Sequence, residues 1–259
     1  MKKRSMSLAL CIFLASGVLW AAGSPFAGKW KLNPAKSQMP DVMKVKALGG
    51  NKYDFNLGGD TVETIAVDGT DQQGSYGTTL AVTPDGPNHW RVVRKKNGQT
   101  TIVGIWTLSA DGNTLTDNFT SYQPDGSTFH LDYVYKRTAG GPGFDGTWES
   151  TTKDLNSAFE MEISPCGENG LLLDFTTFGV KKELRFDGKA YPATGANVPD
   201  GYVSSARQLD ERTIEVEDRI KEKHIDMQRM EVSGDGRTLT ITVSIPNRDK
   251  PQIQVFDRE

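Results

Sequence analysis

The sequence Phe26-Ala27-Gly28-Lys29-Trp30 returns as Phe144-Asp145-Gly146-Thr147-Trp148, and this repetition orders the rest of the chain. Two further landmarks recur in the same order, each built around an Asp-Gly pair: residues 67–69 with 186–188, and residues 109–116 with 233–240. The three offsets lie between 118 and 124 residues, so only small insertions separate the copies. Three landmarks in register indicate an internal duplication, although each one alone would be too short to carry that inference.

The duplication divides the chain into two units, residues 24–137 and 144–259. Each unit ends in a segment with an aromatic residue and an arginine, Tyr135-Lys136-Arg137 in the first and Phe256-Asp257-Arg258 in the second. The intervening residues 138–143 are rich in Gly and Pro, a composition typical of a short linker. At about 115 residues, each unit is long enough for one modest hydrophobic core.

Within each unit, short strands are predicted between tight turns. Residues 238–245 alternate apolar and hydroxyl side chains, while residues 213–220 and 129–136 largely alternate apolar or aromatic with polar side chains. Asp-Gly and Asn-Gly pairs, such as Asp111-Gly112 and Asn97-Gly98, favour hairpin turns between antiparallel strands. The sequence therefore predicts an all-β fold with eight or nine antiparallel strands per unit, arranged as a barrel or a sandwich.

The first 23 residues have the order of a secretory signal peptide. A basic start, Lys2-Lys3-Arg4, precedes an apolar run over residues 6–20, and Ala21-Ala22-Gly23 offers small side chains for cleavage. The apolar run is shorter than the roughly 20 residues that a membrane-spanning helix needs, which disfavours the alternative of an uncleaved anchor. We therefore predict removal of residues 1–23, a periplasmic or secreted location, and no membrane span in the mature chain.

Composition excludes several classes of protein. With 36% hydrophobic and 24% charged residues the chain is too apolar for disorder, and two cysteines are too few for a disulfide scaffold. Removal of residues 1–23 would take away Cys11 and three cations, leaving Cys166 as a lone thiol and a net charge of −6 instead of −3. This mildly acidic balance gives no electrostatic reason to expect a nucleic-acid partner.

The two G-x-W sequences, with Gly28 and Trp30 in one unit and Gly146 and Trp148 in the other, resemble the start of lipocalins. Residues 26–37 and 186–195 are similar to exported, lipocalin-like bacterial proteins. The resemblance implies two tandem lipocalin-like, calycin-type β-barrels, in which these glycines and tryptophans are structural and each Trp closes one barrel end. It implies no particular ligand, because lipocalins share a fold far more than a function.

Tryptophans inside the first unit are the best candidates for ligand contacts. Trp90 and Trp106 lie on adjacent predicted strands and face inward, and they align with Ile214 and Met230 of the second unit. Inward tryptophans either fill the core of a small barrel or line a cavity for an apolar or aromatic ligand. We therefore take Trp90, Trp106 and Met230 as candidate ligand-binding residues.

Motifs for catalysis or metal binding do not stand out. His89, His130 and His224 are separated from one another and from the cysteines, so none has the spacing of a metal-ligand pair. The chain has neither a G-x-S-x-G nucleophile motif nor a phosphate-binding G-x-x-x-x-G-K-S/T loop. The sequence therefore predicts no catalytic residue, no metal site and no cofactor.

Three classes of function remain. The first is an exported binding module for a small hydrophobic or aromatic molecule, with no catalysis inferred. The second is a structural or interaction protein of the cell envelope, with solid barrels. The third is a hydrolase that uses a pair of carboxylates in a barrel mouth, although no spacing in the sequence singles out such a pair.

Overall fold

A computed structural model describes residues 23–39, 41–58, 61–123, 125–152, 159–195, 198–248 and 250–259. The predicted signal peptide lies outside these residues except for Gly23, and it stays a prediction. In the described part of the chain, no helix has the length and apolar character needed to cross a membrane.

The described residues form twenty strands and two one-turn 3-10 helices, the latter at Ser75–Gly77 and Thr176–Phe178. The first ten strands are β1 (Gly28–Leu32), β2 (Val42–Gly49), β3 (Lys52–Asn56), β4 (Glu63–Ala66), β5 (Gln72–Gln73), β6 (Thr78–Pro84), β7 (His89–Lys96), β8 (Gln99–Leu108), β9 (Thr114–Tyr122) and β10 (Thr128–Ala139). The next ten are β11 (Gly146–Ser150), β12 (Glu160–Pro165), β13 (Gly170–Phe175), β14 (Val180–Arg185), β15 (Ala190–Pro192), β16 (Tyr202–Asp210), β17 (Thr213–Ile220), β18 (Lys223–Val232), β19 (Thr238–Ser244) and β20 (Gln252–Arg258).

These strands form two antiparallel sheets of ten, each nearly closed into a barrel. The first barrel has the strand order β4-β3-β2-β11-β10-β9-β8-β7-β6-β5, and the second has the order β14-β13-β12-β1-β20-β19-β18-β17-β16-β15. The all-β class with two antiparallel barrels is confirmed, but the prediction of eight or nine strands per barrel is wrong. The sequence undercounts because β5 and β15 contain only two and three residues, too few for a period-2 pattern.

The two barrels exchange the strands that carry the G-x-W sequences. Strand β1 lies in the second barrel, where Trp30 pairs with Met161 of β12 and Arg258 of β20. Strand β11 lies in the first barrel, where it pairs with β10 and β2. The division of the chain into two duplicated units, residues 24–137 and 144–259, stays a prediction. In the structure, each barrel contains one strand from the other unit.

Each exchanged strand is held by an arginine that lies over its tryptophan. The guanidinium carbon of Arg258 is 4.1 Å from the centre of the Trp30 ring, and Trp30 Nε1 donates to the Phe26 carbonyl at 2.8 Å. Gly28 has a φ of +141°, which residues with a side chain rarely adopt, and a Cβ there would also lie 2.5 Å from Arg258 Nη1. The backbone conformation and the close approach of the arginine together favour glycine at this position.

The first barrel repeats this arrangement with its own pair. Arg137 lies 4.2 Å from the Trp148 ring centre, and Trp148 Nε1 donates to the Phe144 carbonyl at 3.1 Å. A Cβ on Gly146 would approach Arg137 Nη1 to 2.9 Å. Both tryptophans are completely buried, and each belongs to the hydrophobic core of the barrel that its strand joins.

Short contacts close the seam of each barrel. In the first barrel, the Gln72 carboxamide joins β5 to β4 by accepting from Ala66 N at 2.8 Å and donating to Ala66 O at 2.7 Å. In the second barrel, Lys181 and Thr194 exchange two backbone hydrogen bonds of 2.8 and 2.9 Å. These contacts satisfy edge groups that would otherwise be open to strand pairing with another chain.

Candidate binding cavity

A cavity of about 830 Å³ occupies part of the first barrel and extends to the second. Apolar side chains form much of its wall. Those from the first barrel include Met43, Leu80, Val92, Ile102, Trp106 and Phe119. Those from the second barrel include Phe178, Val180, Ile220, Ile225 and Ile245.

The second barrel contributes to the wall because several of its side chains contact the first barrel. Phe178 meets the ring of Phe129 edge to face, with centres 6.0 Å apart. Lys223 Nζ donates to Thr61 Oγ1 at 3.1 Å, and Lys96 Nζ lies 3.6 Å from Asp200 Oδ1. The cavity is therefore a joint feature of both barrels.

An ion pair between β4 and β7 forms one polar part of the wall. Arg94 donates to both carboxylate oxygens of Glu63, at 2.9 and 2.7 Å, and also to Thr78 Oγ1 at 2.7 Å. Burial alone would raise the pKa of Glu63, but Arg94 and the Ser75 backbone N–H outweigh it and lower that pKa. The charge of Arg94 is thus already neutralised inside the cavity.

A second polar part of the wall combines Trp106 of β8 with Asp117 of β9. These two residues are directly paired across the strands, and Trp106 is only 2% exposed. Within the described part of the chain, Trp106 Nε1 and Asp117 Oδ1 are the only buried side-chain polar atoms that lack a hydrogen-bond partner. The indole N–H lies near enough to the carboxyl to oppose the rise in its pKa, but the two atoms do not meet hydrogen-bond geometry, so each lacks a partner.

Burial changes the acidity of this part of the wall. It raises the pKa of Asp117 to about 7, with the charge of Asp132 adding to the rise and the Trp106 indole opposing it. Burial likewise raises the pKa of Tyr133 to about 12, helped by the charges of Asp41 and Asp117. Near neutral pH, Asp117 therefore changes between a neutral carboxyl and a carboxylate.

The stability of the protein should depend on pH through Asp117. Its pKa is raised from 3.8 to about 7, so the unfolded chain gives up this proton first and stability falls as the pH rises through this interval. Above about pH 7 this loss is complete. Replacing Asp117 with Asn should therefore raise the free energy of unfolding at pH 8, on the order of 2 kcal/mol, and much less at pH 4.5.

Urea denaturation at the two pH values measures this difference. Asp226, whose pKa burial raises to about 6, changes stability in the same direction but is present in both proteins and cancels in the comparison. An equal effect of Asp117→Asn at pH 4.5 and pH 8 would show that the carboxyl does not titrate as stated.

The second barrel has different side chains at the corresponding positions. Met230 and Ile241 lie 124 positions after Trp106 and Asp117 and are their equivalents in the second copy. The two residues of each set are paired across adjacent strands. The side chains of Met230 and Ile241 are both buried in the core of the second barrel. Gly104 of the first barrel corresponds to Gln228, whose Nε2 donates to Asp218 and Asp226 at 2.8 and 2.9 Å. The protein's own side chains therefore occupy the places that border the cavity in the first barrel.

The buried ion pair is also present in the second barrel, but with its charges reversed. Asp218 corresponds to Arg94 and Lys182 to Glu63, and Lys182 Nζ donates to Asp218. Asp218 is completely buried, and it also accepts from Tyr202 Oη at 2.6 Å and from Ser204. Each barrel thus keeps an ion pair between equivalent strands, although the two copies use opposite signs.

The structure separates the three residues predicted to contact a ligand. Trp106 borders the cavity. Trp90 packs beside it, between the ring of Phe144 at 3.9 Å and the ring of Tyr53 at 5.0 Å, and it does not belong to the cavity wall. Met230 is fully buried in the core of the second barrel. Only Trp106 therefore remains a candidate for direct ligand contact through this cavity.

Sequence reasoning missed Asp117, the polar partner of Trp106. The signal was present, because Leu115, Asp117 and Phe119 alternate along β9 and place Asp117 on the inward face. A single acidic residue in an otherwise apolar inward row indicates a buried carboxyl. The surrounding threonines and Asn118 conceal this pattern by making the whole segment look polar.

Comparisons with known proteins do not add to the assignment: no protein-family model, curated protein or solved structure matches the chain. Among the residues that the structure describes, no three His, Cys, Asp or Glu side chains are grouped so that they could hold a metal ion. The functional argument therefore rests on the cavity and its wall.

Proposed function

We propose that the protein is an exported, lipocalin-like binding module for a small hydrophobic or aromatic molecule, which occupies the cavity of the first barrel. The observation that carries this proposal is the cavity of about 830 Å³. Its size falls in the range of roughly 300–1,000 Å³ that is typical of small-molecule sites, and such sites combine apolar walls with a few polar groups. The packed core of the second barrel supports a division of roles in which one copy binds and the other contributes part of the cavity wall.

A neutral apolar probe tests the proposal. We expect N-phenyl-1-naphthylamine to show a saturable rise in fluorescence with about one site per chain. Val92 faces the cavity, so Val92→Trp should fill part of it and weaken binding by at least about tenfold, which corresponds to 1.4 kcal/mol. Fluorescence titration of both proteins gives the two dissociation constants.

The matched control is Arg91→Trp, which adds the same side chain at an exposed position of the same strand. It should bind the probe as the native protein does. Failure of the native protein to bind any apolar probe would overturn the proposal, as would equal binding by the native protein and Val92→Trp.

A structural or interaction role is the second candidate, and the packed core of the second barrel favours it for that half of the molecule. This candidate becomes the better one if the native protein binds no probe. The hydrolase alternative stays a prediction, with carboxyls in the cavity wall at Asp41, Glu63, Asp117 and Asp226.

A further inference from the structure

The unused polar atoms in the cavity wall specify the chemistry of the ligand more closely. Trp106 Nε1 can only donate a hydrogen bond. Asp117 Oδ1 can accept one when the carboxyl is ionised, and also when the carboxyl is neutral with its proton on Oδ2. Leaving such groups buried without a partner destabilises the protein, because each has lost its hydrogen bonds to water. A bound molecule that satisfies both groups would remove this cost.

Gly104 lets these two atoms lie close to the backbone of β8, because it has no side chain there. A Cβ on Gly104 would lie 2.7 Å from Asp117 Oδ1 and 3.1 Å from Trp106 Nε1. At the equivalent place in the second barrel, Gln228 uses its side-chain amide to donate to two aspartates. The second barrel thus provides its own polar group at a position where the first barrel provides none.

We propose that the ligand is an apolar or aromatic molecule with a hydroxyl group, which accepts a hydrogen bond from Trp106 Nε1–H and donates one to Asp117 Oδ1. This inference rests on the proposed function and names the class of molecule that the cavity selects. A hydroxyl is the smallest group that both accepts and donates, so it satisfies the two adjacent atoms at once.

Other polar groups fit these atoms less well. An ammonium group could donate to Asp117, but it has no lone pair for the indole N–H, which would point at a positive charge. A carboxylate would need a cation, and the cations of the wall are already engaged: Arg94 with Glu63, Lys96 with Asp200, and Arg248 with Asp41. A hydrocarbon would leave both Trp106 and Asp117 unsatisfied.

Three probes of nearly equal shape test the inference: 2-naphthylmethanol, 2-methylnaphthalene and 2-naphthylmethylamine. Water solvates the hydroxyl better than the methyl group, so the affinities of the two probes cannot be compared directly. The informative quantity is the ratio of the affinity for 2-naphthylmethanol to that for 2-methylnaphthalene, compared between the native protein and each variant. Isothermal titration calorimetry of each probe gives this ratio. We expect the alcohol-to-hydrocarbon ratio to fall about tenfold in Trp106→Phe, which keeps the aromatic ring but removes the N–H.

Two comparisons make the result specific. Trp90→Phe changes an adjacent buried tryptophan that does not belong to the cavity wall, and it should leave the ratio unchanged. The amine-to-hydrocarbon ratio should not fall in Trp106→Phe, because the indole N–H gives an ammonium group nothing to bind. Asp117→Leu removes the acceptor and should lower the alcohol ratio as Trp106→Phe does, which provides a second variant if one of them folds poorly.

The possible outcomes separate this inference from the proposed function. An alcohol ratio that is the same in the native protein, Trp106→Phe and Asp117→Leu would overturn the hydroxyl assignment and leave apolar binding intact. Equal falls of the alcohol and amine ratios in Trp106→Phe would also overturn it. Absence of binding for all three probes in the native protein would contradict the proposed function itself.

Discussion

Replacing Asp218 with Ala should lower the free energy of unfolding by about 3–5 kcal/mol, because it leaves a buried ammonium group without its counter-charge. Lys182 is only 7% exposed and Asp218 is completely buried, so water cannot solvate the remaining charge well. The variant also removes the acceptor for Tyr202 and Ser204. Urea denaturation at neutral pH, compared with the native protein, measures the loss.

The double variant Lys182→Met with Asp218→Leu serves as the matched control. It removes both charges, so it should recover much of the stability that Asp218→Ala loses. Lys36→Met breaks the exposed pair with Asp257 and should cost no more than about 1 kcal/mol. If the double variant is as unstable as Asp218→Ala, the loss does not come from the uncompensated charge of Lys182.

Replacing Trp30 with Ala should destabilise the second barrel, although Trp30 belongs to the first unit of the sequence. Loss of a fully buried tryptophan costs about 3–5 kcal/mol, and Arg258 would lose the ring over which it lies. Hydrogen exchange followed by mass spectrometry locates the effect. Backbone amides should exchange faster in β12 and β20, the strands that pair with β1.

The corresponding variant Trp148→Ala should give the opposite pattern. Its strand, β11, pairs with β2 and β10, so exchange should increase there and less in β12 and β20. If Trp30→Ala increased exchange mainly in β2 and β10, each unit would keep its own first strand and the exchange of strands would be wrong.

Much of the fold is predictable because its local signals agree with one another. Period-2 alternation locates long strands such as β19, and the repeated Ser-x-Asp-Gly sequences predict the turns after β8 and β18. In the structure, Ser109 donates to Asp111 and Ser233 donates to Asp235, both at 2.6 Å. Identical side-chain contacts therefore stabilise these two turns.

The exchange of strands is harder to predict for the same reason that duplication is easy to detect. Strands β1 and β11 carry nearly the same landmark residues, so either can complete either barrel as far as local pattern is concerned. The choice depends on the paths of the chain between β1 and β2 and between β11 and β12. Strands β1 and β2 belong to different barrels, as do β11 and β12, and no local sequence pattern indicates this.

The candidate site is only partly predictable. The inward position of Trp106 follows from alternation, but whether it borders a cavity depends on the volume left by residues on other strands. Gly104 and Asp117 decide this in the first barrel, whereas Gln228 and Ile241 occupy the corresponding positions in the second. Such three-dimensional packing is not visible in the pattern of any single strand.

The exchanged strands also set the order in which the molecule can be completed during synthesis. The first barrel has all its strands once residue 150 has emerged, whereas the second must wait for β20, which ends at Arg258. Strand β1 is made first, yet its two partners, β12 and β20, begin at residues 160 and 252. Strand β1 therefore has no native partner until β12 has been synthesised, and it acquires its second partner only with β20.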